Sequence, residues 1–235
     1  TKERSLQRVL LYFVQFFGTL FCIFGTLRRF IKNFETVGLE AYTASKFAYL
    51  FGVGGCVGIL FMFMGWFGLL QCWMNAWAEL LRFGDRMFYD EWWTTQYSKY
   101  FRKWNLVVSD WLLTYTYCDI YKTTRKGWLA ALVTFILSGV FHEYIVTLAW
   151  GFYLPIMFVM FLGFGVIMFF LHRNMKESHN GGNMFMFGSM FIGWSLLIML
   201  YSLEWYSRVN CQPVYNSIFL DKVIPRMISC VKVKF

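Results

Sequence analysis

Residues 127–171 contain no lysine, arginine or aspartate and one glutamate, Glu143, which directly follows His142. No soluble fold of 235 residues can hide an apolar run of that length. A bilayer can: ~20 apolar residues at 1.5 Å rise cross a ~30 Å hydrocarbon core. Five segments qualify, at about 10–27, 47–72, 127–150, 151–171 and 181–203. Gly151 and Pro155 punctuate the third and fourth. The second stays uncharged as far as Ala78 and is too long for one crossing, so its end is expected to leave the membrane as an amphipathic helix. Trp73, Trp77, Leu80 and Leu81 would form the apolar side of that extension. The expected fold class is all-α: a polytopic transmembrane bundle of about five spanning helices plus interfacial helices, in one membrane-embedded domain over 1–235.

Composition agrees. Hydrophobic residues make up 58% and charged residues 15%, and the mean hydropathy is +0.48. The net charge of +9 is read as membrane-flanking rather than as a nucleic-acid face. Six cysteines without a CxxC or Cys/His cluster indicate neither a metal site nor a dense disulfide scaffold. Thr1 opens a charged stretch, so the chain reads as part of something longer. Lys and Arg are in excess on the side that holds Thr1, which makes that side cytosolic. The tail, 204–235, is then luminal. The cytosolic block 82–126 is dense in Trp and Tyr, the composition of a structure lying at the interface. Within it, residues 104–117 read as a short helix, and the run Phe88, Tyr89, Asp90, Glu91, Trp92, Trp93 as a helix with its aromatic rings on one half of the surface.

A carboxylate at a helix centre costs ~2.5–3.5 kcal/mol on insertion scales, so residues 142–144 are the first candidates for chemistry. His142 can be a buried structural histidine or, kept neutral by desolvation, a general base. Ser138 lies one turn before it, which permits a Ser-His nucleophile pair and equally a back-bond from Ser138 to its own helix. Glu143 points about 100° away and is read as a structural partner more than an acid. Asn105 can donate to an oxyanion or cap a helix. His172 and His179 fall in a polar loop.

Residues 74–112 strongly resemble the sterol O-acyltransferase branch of the membrane-bound O-acyltransferase family, and the resemblance extends over essentially the whole chain. Residues 88–93 match that branch's FYxDWW motif, with Glu91 where the motif has Asp. The pattern makes Glu91 the functional carboxylate and Asp90 a solvated variable position. Asn105 matches the family's catalytic asparagine, His142 its catalytic histidine, and Ser138 a serine near the thioester. Ser109 stands where the family usually has a histidine. Diacylglycerol acyltransferases share these motifs. In the tail, Glu204 to Arg208, Cys211, Ile218 to Asp221, Pro225 and Arg226 look like the sterol branch instead.

The resemblance implies acyl transfer from acyl-CoA, as co-substrate without further cofactor, to a sterol hydroxyl in the endoplasmic reticulum membrane. It implies acyl-CoA contacts from Phe88, Tyr89, Glu91, Trp92, Trp93 and Trp104. Arg102, Lys103, Arg125 and Lys126 would meet the phosphates. It also implies a homo-oligomer among membrane lipids, a cytosolic amino terminus and a luminal carboxyl end. Luminal thiols tend to pair. The branch has a pair placed like Cys211 and Cys230, so a disulfide is expected there. The competing class is a transporter or channel with a path lined by His142 and Glu143. The clustering of polar residues on one span and one block argues against it.

Overall fold

The computed structural model describes residues 4–84, 86–168 and 179–234. The described residues form helices and two three-residue strands. Among the described residues, four helices are long and apolar enough to cross a membrane. The first, α1, is Leu6–Ile31, ending on Arg28 and Arg29, where cations complement the carbonyl end of the helix dipole. Next, α2, Ala44–Trp66, runs without a break through a π-helical segment, Phe67–Trp73, into α3, Met74–Leu80. Two short helices follow the motif region: α4, Tyr97–Lys103, and α5, Leu106–Leu112. A π-helical segment, Leu113–Tyr117, joins α5 to α6, Cys118–Thr124. Then come α7, Gly127–Trp150, and α8, Ile156–Val159, which continues through a third π-helical segment to Met168. Last of the long helices is α9, His179–Asn210. The tail holds α10, Ile218–Val223, and α11, Met227–Cys230.

Several boundaries differ from the sequence reading. The helical stretch that includes α8 is about 20 Å long at 1.5 Å per residue, shorter than the hydrocarbon core. The rest of that expected span, 169–171, lies outside the described residues, as does His172. Residues 106–124 form one helical stretch rather than a piece ending at 117, because the π-helical turn carries the backbone hydrogen bonds through Tyr117. Residues 88–93 are not helical, so the expected helical aromatic face does not exist. The tail has two short helices.

The chain divides into two compact units. One comprises Thr1–Leu27, Ile59–Ala130 and Met168–Phe187. In it Phe13 and Phe16 of α1 pack on Trp73, with ring centroids 5.9 and 4.9 Å away, and Phe13 also meets Trp77. Glu79, 3% exposed, accepts from the Ser5 backbone N–H at 2.7 Å, at the start of α1, and pairs with Arg86. A carboxylate belongs there, because the first N–H groups of a helix lack partners and carry partial positive charge.

The other comprises Arg28–Gly58, Ala131–Ile167 and Gly188–Phe235. Here Gly54, Gly55 and Gly58 of α2 lie against Phe191, Trp194 and Ser195 of α9. Lipid tails give helices no hydrophobic reason to associate, so small residues that let backbones approach supply the packing. Phe152, Leu154 and Tyr201 form a core, with Trp150 stacked on Tyr201. Strand β1, Ala41–Thr43, pairs in parallel with β2, Lys232–Lys234. Cys211 and Cys230 are disulfide-bonded, with Cα atoms 6.1 Å apart.

Candidate active site

In the first unit, the non-helical motif and the junction between α4 and α5 hold each other. Asp90 N–H donates to the Lys103 carbonyl at 3.1 Å, and Leu106 N–H donates to the Phe88 carbonyl at 3.0 Å. The aromatic motif is thus zipped to the residues on both sides of Asn105. Trp92, 8% exposed, packs edge-on against Trp104 at 4.7 Å and against Tyr100 at 6.1 Å. Tyr89 meets Trp66 of α2 at 4.4 Å. Phe88 is buried, and Trp93 is exposed and stacks on Phe63. Burial pushes the Tyr100 phenol far above its usual range, so it stays neutral in this cluster.

Asn105 is the N-cap of α5: its side-chain oxygen accepts from Val108 N–H at 3.2 Å. With the oxygen so occupied, the amide offers N–H, and Asn105 is a donor. It lines an open cleft of about 460 Å³. The other walls are apolar or aromatic, among them Leu70, Trp73, Trp77, Phe88 and Val107. A hydrogen-bond donor among such walls has few polar competitors for a substrate oxygen that gains negative charge.

Asp90 is not simply solvated. It pairs with Lys103 at 2.9 Å and accepts from Glu91 N–H at 2.8 Å. The Lys103 ammonium, followed by the Glu91 N–H, holds the Asp90 carboxyl below the usual range. Lys103 therefore spends its charge within the fold. Arg102 donates from Nε to the Ser98 carbonyl at 3.0 Å. Arg125 and Lys126 are exposed at the turn after α6, Arg125 with a left-handed backbone. Glu91 is exposed, while Trp104 and Ser109 are half-buried.

The second unit holds Ser138, His142 and Glu143 on α7. His142 Nδ1 lies 2.7 Å from the Ser138 carbonyl oxygen. A carbonyl only accepts, so Nδ1 carries the hydrogen. In the neutral imidazole Nε2 then keeps its lone pair. Ser138 Oγ is 3.4 Å from that same Nδ1, a nitrogen with no lone pair to take its proton. The Ser138 hydroxyl and carbonyl thus meet the same ring nitrogen, and the carbonyl is the nearer of the two. Phe161 stacks on the imidazole at 4.5 Å and fixes its plane.

Glu143, 5% exposed, accepts from Phe158 N–H at 3.1 Å and from the Tyr201 hydroxyl at 3.4 Å. Phe158 is in the first turn of α8, so this carboxylate satisfies a helix start that has no other cap. Both of its oxygens are engaged in packing three elements.

The sequence reading missed Trp66 and Gln71. Trp66 donates from its indole to the Trp104 carbonyl at 3.3 Å, and the Tyr89 hydroxyl donates to Gln71 at 2.6 Å. Gln71 was detectable as one of two carboxamides in the long uncharged second segment, where an amide without a partner is expensive. Nothing marked Trp66 among eleven tryptophans.

Comparison with known proteins now bears on these groups. The sequence pattern of the membrane-bound O-acyltransferase family matches residues 4–203. The chain is 38% identical over 226 residues to sterol O-acyltransferase 1 of Mus musculus, covering 94% of this chain and 42% of that protein. It is 42% identical over 178 residues to sterol O-acyltransferase 2 of Mus musculus, and 40% identical over 176 residues to that of Homo sapiens. Each of these covers 74% of this chain and 33% of the relative. The chain therefore spans well under half the length of the curated relatives it matches.

Proposed function

The chain belongs to the membrane-bound O-acyltransferase family, and on that premise we propose that it transfers a long-chain acyl group from acyl-CoA to the hydroxyl of a sterol. The observation that carries the mechanism is the 2.7 Å contact from His142 Nδ1 to the Ser138 carbonyl. It leaves Nε2 as the ring nitrogen open to a substrate, on a membrane-spanning helix, where lipid-soluble alcohols dissolve. Nε2 takes the proton of the sterol hydroxyl as that oxygen attacks the thioester carbonyl. The motif match assigns the donation to the carbonyl oxygen, as it gains charge, to the Asn105 amide. The C–S bond then breaks and CoA leaves as thiolate, which takes up the proton held by His142. Transfer is direct. The tautomer of His142 argues against an acyl-enzyme on Ser138. The engaged oxygens of Glu143 argue against a conducting polar path.

The anionic CoA head stays at the aqueous face, where Arg125 and Lys126 can meet its phosphates. Lys103 and Arg102 contribute less, because both already serve the fold. The enzyme resides in the endoplasmic reticulum membrane with the start of this chain cytosolic and its end luminal, and it works as a homo-oligomer. The sterol acceptor is favoured over diacylglycerol because the similar proteins are sterol O-acyltransferases.

The test uses microsomes carrying the protein, labelled oleoyl-CoA, and cholesterol or diacylglycerol. Labelled steryl ester from wild type, reduced at least about 10³-fold in His142→Ala, supports the reading. Equal ester formation by His142→Ala, or labelling of diacylglycerol alone, would replace it.

A further inference from the structure

One of the groups that hold the backbone around Asn105 comes from the end of α2, and the motif that supplies the other two is tied to the π-helical segment of that span. Three hydrogen bonds fix the peptides next to this residue. The Lys103 carbonyl is held by Asp90 N–H, the Trp104 carbonyl by the Trp66 indole at 3.3 Å, and Leu106 N–H by the Phe88 carbonyl. The motif that makes two of these bonds is tied to the span by the Tyr89 hydroxyl on Gln71 at 2.6 Å, and by the Tyr89 ring on Trp66 at 4.4 Å.

Trp66 and Gln71 are five residues apart. In an α-helix such residues point well away from each other. The π-helical segment Phe67–Trp73 bonds i to i+5 and brings them to one side. An indole N–H and a carboxamide are thereby aimed at Trp104 and Tyr89 together. A π-helical turn gives up regular hydrogen-bond geometry, so its presence between these two donors and acceptors needs a return, and holding Asn105 supplies one.

We infer that Trp66 and Gln71 are positioning residues for Asn105, the π-helical turn of the second span acting through the aromatic motif to set where the Asn105 amide meets the reacting carbonyl. The inference rests on the proposed acyl transfer. Neither side chain touches substrate in this scheme. Each acts through Asn105, whose donation counts in the transition state and little in the ground state, so its loss falls on kcat and not on KM.

Steady-state kinetics in microsomes decide the matter, with activity normalised to protein and with thermal stability measured in detergent. Tyr89→Phe keeps the ring on Trp66 and removes the bond to Gln71. Gln71→Leu removes the same bond from the other end, and Trp66→Phe removes the indole donor. Each is expected to lower kcat about 10-fold, with KM for oleoyl-CoA and for cholesterol within about 2-fold of wild type, since small displacements of a catalytic group are costly. Because Tyr89 and Gln71 share one bond, the Tyr89→Phe, Gln71→Leu double variant should fall about 10-fold as well and not about 100-fold.

An unchanged kcat in Tyr89→Phe and Trp66→Phe, a rise in KM alone, or multiplicative losses in the double variant would overturn the inference. A wild-type protein that forms no steryl ester would instead overturn the proposed function, and this inference with it.

Discussion

At the scale of single residues, chemistry is assigned by what occupies the other half of each polar group. The Ser138 carbonyl takes the hydrogen of His142 Nδ1 and so selects Nε2, and Val108 N–H takes the oxygen of Asn105 and so selects its amide N–H. A substitution that separates the two roles of Asn105 follows from this. Asn105→Asp keeps a capping oxygen and loses the donor, so helix stability should hold while kcat falls by about 10²–10³-fold. Asn105→Ala should lose the activity and also about 1 kcal/mol of stability. Kinetics paired with thermal unfolding in detergent distinguishes these outcomes; a fully active Asn105→Asp would remove the amide from the mechanism. The motif carboxylates make a second case. The Asp90–Lys103 pair is half-exposed, where solvent screening leaves an ion pair little to contribute. Asp90→Asn should therefore change activity by a few-fold at most, and Glu91→Gln should impair it more. The opposite ranking in the same ester assay would make Asp90 the functional carboxylate.

At the scale of elements, close helix contact and local irregularity set what each segment can present. The approach of α2 to α9 depends on glycines: a Cβ at Gly58 would lie 2.6 Å from the Trp194 Cβ. Overpacking of this kind costs about 1–3 kcal/mol, so Gly58→Val should lower the thermal midpoint in detergent. Gly52, with nothing within 4 Å, should tolerate Ala as the control. Gly38 is constrained twice. Its φ is +79°, and a Cβ there would sit 2.5 and 2.6 Å from the two sulfurs of the Cys211–Cys230 disulfide. The three π-helical segments each shift which residues share a face, and the first of them decides that Trp66 and Gln71 act together.

At the scale of the whole molecule, the tail is held by a charged network as much as by its disulfide. Glu204, fully buried, accepts from Arg208 Nε at 2.6 Å, Arg226 N–H at 3.0 Å and Met227 N–H at 2.9 Å. Arg226 grips Asp221 through two nitrogens at 2.7 and 2.5 Å and also donates to the Arg208 and Cys211 carbonyls. The Arg226 guanidinium holds the Asp221 carboxyl below the usual carboxylate range. A carboxyl with a lowered folded pKa stabilises fully where the unfolded group is also ionised, above about pH 4. That contribution is lost as the pH falls below about 4 through the folded value. Limited proteolysis of the tail should thus be unchanged from pH 7 to 5 and increase below 4, with Asp221→Asn flattening the profile. Reduction of the disulfide should remove up to about 3 kcal/mol in the chain-entropy model. The network should keep the tail folded at neutral pH even so, and rapid cleavage of the reduced wild type there would show the network to be insufficient.

The all-α membrane class, the long apolar helix at Gly127–Trp150 and the family were legible in the sequence, because hydropathy and short motifs are local properties that each segment carries alone. The candidate residues Asn105 and His142 were legible only as residue types at positions matching a motif. Their working atoms were not, because a tautomer and an amide orientation depend on partners one turn away in three dimensions. The aromatic run 88–93 was misread as a helix for the same reason. Its spacing is compatible with a helical face, but its backbone groups find partners around Asn105 instead, and the buried ring of Trp92 packed on Trp104 stabilises that arrangement. Composition, periodicity and motif determined what this protein is made of and which family it belongs to. Only the tertiary structure decided which atoms are free to act, because that depends on which hydrogen bonds are already made.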